Sequence, residues 1–258
     1  MKSCSASFVL VAINARSLVP DYGRLTQTRL PHSAPAVSPL YPPPPWKLPG
    51  ARVLKLLFET DVDPVLTWLP PKLSRSSPPY AIITAAQFPQ SPVGPFSLAA
   101  QYIGCRAGFF IRALTLQAVC DTAPALAALR EVWGYPCTPG QLELEEKDGG
   151  AIAYITSGGS VLAQLSLTGP SDIDADAVRF DPVLNIRSVP SLEDGKTHEL
   201  LHMVQIDPDN EIKQSVRGAG SIDYARSAWG ILPVRNMISA VYCTMDTELP
   251  LARFTVPY

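Results

Sequence analysis

The stretch Leu129-Arg130-Glu131-Val132-Trp133-Gly134-Tyr135-Pro136-Cys137-Thr138 decides the fold. It continues an apolar helical pattern that begins at Asp121, which we expect to be the helix N-cap. The glycine and the proline then end the helix and predict a loop. The loop ends on a thiol and a hydroxyl, so it brings no charged side chain of its own.

Outside this stretch, apolar and polar residues alternate more often than they follow a helical period, which predicts strands. The predicted strands are Arg52–Thr60, Tyr80–Gln87, Phe96–Ile103, Phe109–Leu116, Gln141–Glu146, Ala151–Thr156, Ser160–Leu167, Leu200–Ile206, Glu211–Val216, Met237–Thr244 and Leu251–Val256. Glycine pairs at 149–150 and 158–159 predict an antiparallel meander over residues 141–167. Two helices, Asp61–Trp68 and Asp121–Trp133, complete a mainly β (α+β) fold with peripheral helices.

The frame Arg-Glu-x-x-Gly-Tyr-Pro at residues 130–136 resembles a motif of the acetoacetate decarboxylase family, in which two lysines follow the proline. Weaker similarity extends over residues 38–258, from a proline-rich entry and first strand to the closing strands. The resemblance implies antiparallel sheets curled into a cone around an apolar cavity. It also implies a homo-oligomer, in which the Pro42–Pro45 segment could pack across an interface.

The family's chemistry is missing from the matching positions. Its first lysine forms a Schiff base with a β-keto acid, and its second lowers the pKa of the first. Cys137 and Thr138 occupy those two positions here, and a thiol cannot form the iminium that accepts electrons during decarboxylation. Lys55 lies in a predicted strand and could replace the lost amine if it faced the cavity, which we do not expect.

The resemblance also implies which residues would carry a remaining function. Leu98 and Ile83 stand where the family has acids, and Arg52 is the candidate for its first-strand arginine, although a gapless match puts Ala51 there. We expect catalytic roles for Arg52, Tyr135 and Cys137, and substrate-binding roles for Ile83, Leu98, Arg130, Glu131 and Thr138. Arg130 and Glu131 could equally be a structural ion pair, and Cys137 a small core residue. No cofactor and no metal are expected.

A cavity that has lost its charges suits a large, weakly charged guest. We therefore expect an enzyme that is not a Schiff-base decarboxylase, but a lyase, cyclase or dehydratase acting on a polyketide-like or terpenoid intermediate of secondary metabolism. One alternative is a non-catalytic binding protein for a small hydrophobic ligand. A second is a decarboxylase of a β-keto acid that works without lysine.

Composition narrows the partners and the compartment. A net charge of −2 gives no electrostatic basis for binding nucleic acid or a membrane. Five scattered cysteines favour a reducing compartment, so we expect a cytoplasmic protein. Residues 1–37 are expected to be a partly disordered extension, and a short apolar run, Phe8–Ile13, leaves open whether residues 1–15 are a targeting signal.

One pattern resembles a metal site by its letters alone. His198-Glu199-Leu200-Leu201-His202 matches a zinc signature that requires a helix. The residues that follow predict a strand, on which the two histidines would lie ~13 Å apart, too far to share one zinc.

Overall fold

The computed structural model describes residues 23–224 and 226–258. The chain divides into two units, residues 1–31 and residues 32–258. The described part of the first unit contains one short 3-10 helix, Gln27–Arg29. Most of the predicted N-terminal extension, including the possible targeting signal, lies outside the described residues. The division of the chain at residue 38 therefore stays a prediction.

In the second unit a single sheet of fourteen strands carries the fold. The strands are β1 (Trp46–Glu59), β2 (Ser74–Arg75), β3 (Tyr80–Phe88), β4 (Phe96–Ala107), β5 (Phe110–Cys120), β6 (Cys137–Pro139), β7 (Gln141–Lys147), β8 (Gly150–Ser157), β9 (Ser160–Asp172), β10 (Val183–Pro190), β11 (His198–Ile206), β12 (Asp209–Asp223), β13 (Asn236–Leu249) and β14 (Phe254–Pro257). Their order is β14-β11-β10-β5-β4-β3-β1-β13-β12-β9-β8-β7, with β2 beside β4 and β6 beside β5. The mainly β class predicted from the alternation is confirmed.

Most neighbouring strands are antiparallel, as expected from their short turns, and β7, β8 and β9 form the predicted meander. The exceptions pair in parallel: β10 with β5, and β6 with β5. Strands β2, β6 and β10 are not predicted by the sequence. Polar residues such as Asn185 and Ser188 weaken the alternation in β10, so its place beside β5 is visible only in the fold.

The helices are α1 (Val62–Trp68) and α2 (Ala123–Glu131), with 3-10 helices at Ala175–Ala177 and Ala228–Ile231. The N-cap prediction for α2 was one residue early, because Thr122 occupies that position. The Asp121 carboxylate instead accepts a hydrogen bond of 2.8 Å from the backbone N–H of Ser97 on β4. No helix among the described residues is long and apolar enough to cross a membrane.

The two faces of the central strand β1 contribute to two different cores. Ala51 and Val53 pack in a cluster that also contains the buried Trp46 and Trp133. Leu54, Leu56 and Phe58 pack in the other large cluster. This division follows from the alternation of side chains along a strand, and it decides which residues of β1 face the site.

His198 and His202, the two histidines of the pattern that matches a zinc signature, lie on strand β11, as expected. The helix that the metalloprotease signature needs is therefore absent at these positions, and the strand prediction is confirmed.

Candidate active site

An apolar cavity of about 100 Å³ lies on the face of β1 that carries Val53. Its wall is built mainly from β1, β3 and β4, with contributions from the loop before β6 and from β13. Apolar and aromatic side chains supply most of the lining, including Leu48, Val53, Ile82, Phe88, Phe96, Leu98, Tyr102, Tyr135, Phe180, Val183, Met245 and Leu249. We call this space the inner cavity.

A second pocket, of about 360 Å³, adjoins the inner cavity, and we call it the outer pocket. Lys55, Ile82 and Asp181 line both spaces, so we call these three residues the neck. The outer pocket is more polar, and the exposed side chains of Arg179 and Arg217 contribute to it. Among the described residues that line the inner cavity, the charged ones are the neck residues Lys55 and Asp181.

Lys55 faces the cavity, contrary to our expectation. It lies two residues after Val53 on a regular part of β1, directly opposite Thr84 of β3, which also lines the cavity. Its Nζ donates a hydrogen bond to the backbone carbonyl of Arg179 and lies 4.8 Å from the centre of the Phe180 ring. The alternation alone shows which residues share the side of Lys55, but not that the cavity lies on that side.

Burial lowers the pKa of Lys55 below its usual value. Desolvation is the largest cause, because an ammonium group loses hydration when it leaves water. The Asp181 carboxylate acts in the opposite direction and raises the pKa by less, as does the Cys243 side chain. The site therefore contains an amine that gives up its proton more readily than an exposed lysine.

Arg52 lies on the opposite face of β1 from Lys55 and does not line the inner cavity. Its Nη2 donates a hydrogen bond of 2.6 Å to Oε1 of Gln87, and both side chains line a separate surface groove. The expected catalytic arginine is thus not brought to the other candidate residues, because adjacent positions on a strand point to opposite faces.

The two positions where the family has acids differ in the same way. Leu98 lines the inner cavity. Ile83 is fully buried in the core on the other side of the sheet, and its neighbours Ile82 and Thr84 line the cavity instead. The assignment of Ile83 to the lining was therefore one residue out of register.

Tyr135 lines the inner cavity, as the resemblance implied. Burial raises its pKa well above the usual value for a phenol, so the hydroxyl keeps its proton and can donate it. The preceding Gly134 has a φ of +72°, and a Cβ there would lie 2.8 Å from Cβ of Arg187. Glycine at this position therefore lets the loop pass close to β10 and direct Tyr135 inward.

Cys137 and Thr138 do not line the inner cavity. Cys137 is fully buried in the same core cluster as Tyr135, and desolvation raises the pKa of its thiol. Thr138 is exposed, and its hydroxyl donates a hydrogen bond of 3.3 Å to the carbonyl of Ala118 on β5. The pairing of β6 with β5 fixes both residues in these positions.

Arg130 and Glu131 lie at the exposed end of α2 and do not pair with each other. Arg130 donates a hydrogen bond to the backbone carbonyl of Cys137. The Glu131 carboxylate accepts a hydrogen bond from the hydroxyl of the buried Tyr41. The expected ion pair is replaced by two separate contacts, because consecutive helical residues point in different directions.

A family model described as acetoacetate decarboxylase (ADC) matches residues 29–257, which is most of the chain. The chain belongs to the acetoacetate decarboxylase family. Among curated relatives, acetoacetate decarboxylase 1 of Bradyrhizobium diazoefficiens is 26% identical over 250 residues, covering 89% of this chain and 94% of the relative.

Solved structures of the acetoacetate decarboxylase fold agree closely with this chain. One acetoacetate decarboxylase has a TM-score of 0.82 at 18% identity, covering 90% of this chain and 98% of the other. MppR, an enduracididine biosynthesis enzyme solved in complex with pyruvate, has a TM-score of 0.73 at 17% identity, covering 87% and 97%. At these identities the structural likeness establishes the fold. The predicted membership and architecture are confirmed.

Proposed function

We propose that this member of the acetoacetate decarboxylase family is a small-molecule enzyme, a lyase, cyclase or dehydratase. Its substrate would be a polyketide-like or terpenoid intermediate of secondary metabolism. The observation that supports this is an apolar inner cavity whose neck carries an amine and a carboxylate, Lys55 and Asp181. Such a site orients an apolar guest and offers it a few polar groups for proton transfer.

The volumes favour a guest that occupies both spaces. The inner cavity is smaller than the ~150 Å³ apolar cavity that accommodates benzene. It therefore suits a short apolar arm, while the rest of the guest passes the neck into the outer pocket. MppR is an enduracididine biosynthesis enzyme, and this analogy supports the assignment to biosynthesis.

A protein that only binds a hydrophobic ligand remains the competing function, because the apolar lining of the inner cavity suits binding as well as catalysis. Mass spectrometry after incubation with candidate polyketides and terpenoid aldehydes separates the two. New product masses support the enzyme, and tight binding without any product supports the binding protein.

A variant that fills the inner cavity tests whether binding and turnover take place there. Ala113→Leu on β5 should fill part of the inner cavity and abolish binding and turnover, because Ala113 lines that space. Ala107→Leu, near the turn that follows β4, is the matched control and should retain both. Turnover that survives Ala113→Leu in a folded protein would place the activity elsewhere.

We also infer a cytoplasmic location and a homo-oligomer. The four cysteines in the described part of the chain are unpaired and buried, which suits a reducing compartment. Phe109 and Phe110, at the turn between β4 and β5, are 95% and 67% exposed and offer an apolar contact surface. Sedimentation that shows only monomers of the full chain would contradict the oligomer.

A further inference from the structure

Lys55 occupies a position that no other described lysine shares, since it lines both the inner cavity and the outer pocket. A guest that fills both spaces must pass its side chain. The neighbouring Lys47 lies on the same strand but is exposed to solvent. The fold therefore separates one amine from the others and places it where the two spaces meet.

The surroundings of this amine fix its position. The backbone carbonyl of Arg179 accepts a hydrogen bond from Nζ, and the Phe180 ring packs beside it. Asp181, from the same loop, supplies a carboxylate at the neck. The strand on one side and this loop on the other thus bring an amine and a carboxylate to the neck of the site.

We propose that the Lys55 amine is the reactive group of this site and condenses with a ketone or aldehyde carbonyl of the guest to form a Schiff base. The inference rests on the function proposed above. The amine would thus lie on the first long strand, while the loop after Tyr135 carries none. The lowered pKa of Lys55 supports this role, because only the neutral amine is a nucleophile.

The reaction consumes one proton and releases one molecule of water. The nitrogen lone pair attacks the carbonyl carbon, a C–N bond forms, and the electron pair of the C–O double bond moves to oxygen. Asp181 can carry the proton from nitrogen to that oxygen. After a second protonation from solvent in the outer pocket, the C–O bond breaks and water leaves. The nitrogen lone pair then forms the C=N bond of a protonated imine.

The geometry also indicates the class of substrate. A short apolar arm would fill the inner cavity, and the carbonyl would stand at the neck beside Lys55. The far end would lie in the outer pocket, where Arg179 and Arg217 favour a polar or anionic group. A neutral carbonyl at the neck suits the apolar lining better than a carboxylate there, because an unpaired charge is costly to bury.

Modification by 2,4-pentanedione tests the inference. This neutral β-diketone condenses with an amine to a conjugated enaminone, so the adduct is stable without a reductant. At neutral pH, peptide mapping of the wild-type protein should show Lys55 modified faster than Lys47, about tenfold for each pKa unit by which Lys55 is lowered. An unmodified Lys55, or one that reacts no faster than Lys47, would overturn the proposal.

Two variants complete the test. Lys55→Met should abolish the fast phase of modification, and Lys47→Met should keep it. Circular dichroism and thermal unfolding check that both variants fold. In the wild type, an adduct at Lys55 supports the inference. If no candidate substrate is turned over, the proposed enzyme function fails and the inference still stands. Product formation that continues undiminished in Lys55→Met overturns the reactive amine and leaves the enzyme function standing.

Discussion

Nη1 of Arg130 lies 2.8 Å from the backbone carbonyl oxygen of Cys137 and donates a hydrogen bond to it. This contact joins the end of α2 to the start of β6 across the Gly-Tyr-Pro loop. The arginine of the family motif thus has a structural partner in this chain.

Replacement of Arg130 should lower stability and leave the site intact. Arg130→Met removes the donor to a partly buried carbonyl, and we expect the free energy of unfolding to fall by about 1–2 kcal/mol. Urea unfolding followed by tryptophan fluorescence measures it. Arg106→Met, an exposed arginine at the end of β4, is the matched control. A loss of guest binding in folded Arg130→Met would instead point to a role in the site.

The sequence and the structure predict different effects for a replacement of Arg52. If Arg52 polarised a carbonyl of the substrate, Arg52→Ala would lower turnover by ~10²-fold. Because it lies on the other face of β1 and bonds to Gln87, we expect turnover of Arg52→Ala to stay close to that of the wild type. The rate with a substrate found by mass spectrometry decides between the two, and a loss near 10²-fold would restore the arginine to the site.

Tyr135→Phe tests the phenol that lines the inner cavity. Since the hydroxyl keeps its proton, we expect it to donate to the guest, and its loss should lower turnover by ~10²-fold if it transfers a proton in the reaction. Tyr154→Phe on β8 is the control. Equal rates for Tyr135→Phe and the wild type would assign the proton transfer to another group.

Acetoacetate should not be decarboxylated through the loop after Tyr135. Neither Cys137 nor Thr138 can form an iminium, and neither side chain lines the inner cavity. We expect no adduct at either residue after borohydride reduction, and no acetone release that depends on either of them. The sequence predicts that no lysine reacts with acetoacetate, because it predicts that Lys55 faces away from the cavity. The structure places Lys55 in the cavity lining instead. Acetone release that Lys55→Met abolishes would extend the reactive amine to a β-keto acid.

Alkaline pH should destabilise the fold through its buried thiols. Burial raises the pKa of Cys120 to about 11 and those of Cys105 and Cys243 to about 12. In the unfolded chain each thiol loses its proton near its ordinary pKa of about 9. In the folded protein it keeps that proton to a higher pH. The stability they contribute is therefore complete below pH 9 and falls as the pH rises toward 12, by about 1.4 kcal/mol per pH unit for each thiol.

Lys55 contributes the opposite slope in this range, because its lowered pKa makes the unfolded chain bind the extra proton. One such group is outweighed by these three thiols and by Cys137, whose pKa burial also raises. Urea unfolding under reducing conditions at pH 8 and pH 10.5 measures the net effect, and Cys243→Ala should reduce the fall. A free energy of unfolding that does not change with pH would mean that these thiols titrate in the folded protein.

The sequence alone determined the β architecture, most strand positions and the family. Alternation over residues 52–60 and 80–87, and the motif at residues 130–136, are local signals that need no knowledge of the fold. It also determined that the loop after Tyr135 lacks an amine, because covalent chemistry depends on residue identity alone. Strand β10 escaped detection, since polar residues interrupt its pattern and its partner β5 is distant in the chain.

The tertiary structure decided which side of β1 meets the cavity. A period of two places Arg52 and Lys55 on opposite faces, but both faces of this central strand are buried, so the pattern cannot say which face encloses the open space. The packing of β1 between β3 and β13, with the Arg179–Asp181 loop laid across it, made that choice. The neck residues Lys55 and Asp181 are brought together by contacts between segments more than 120 residues apart, which no local pattern records.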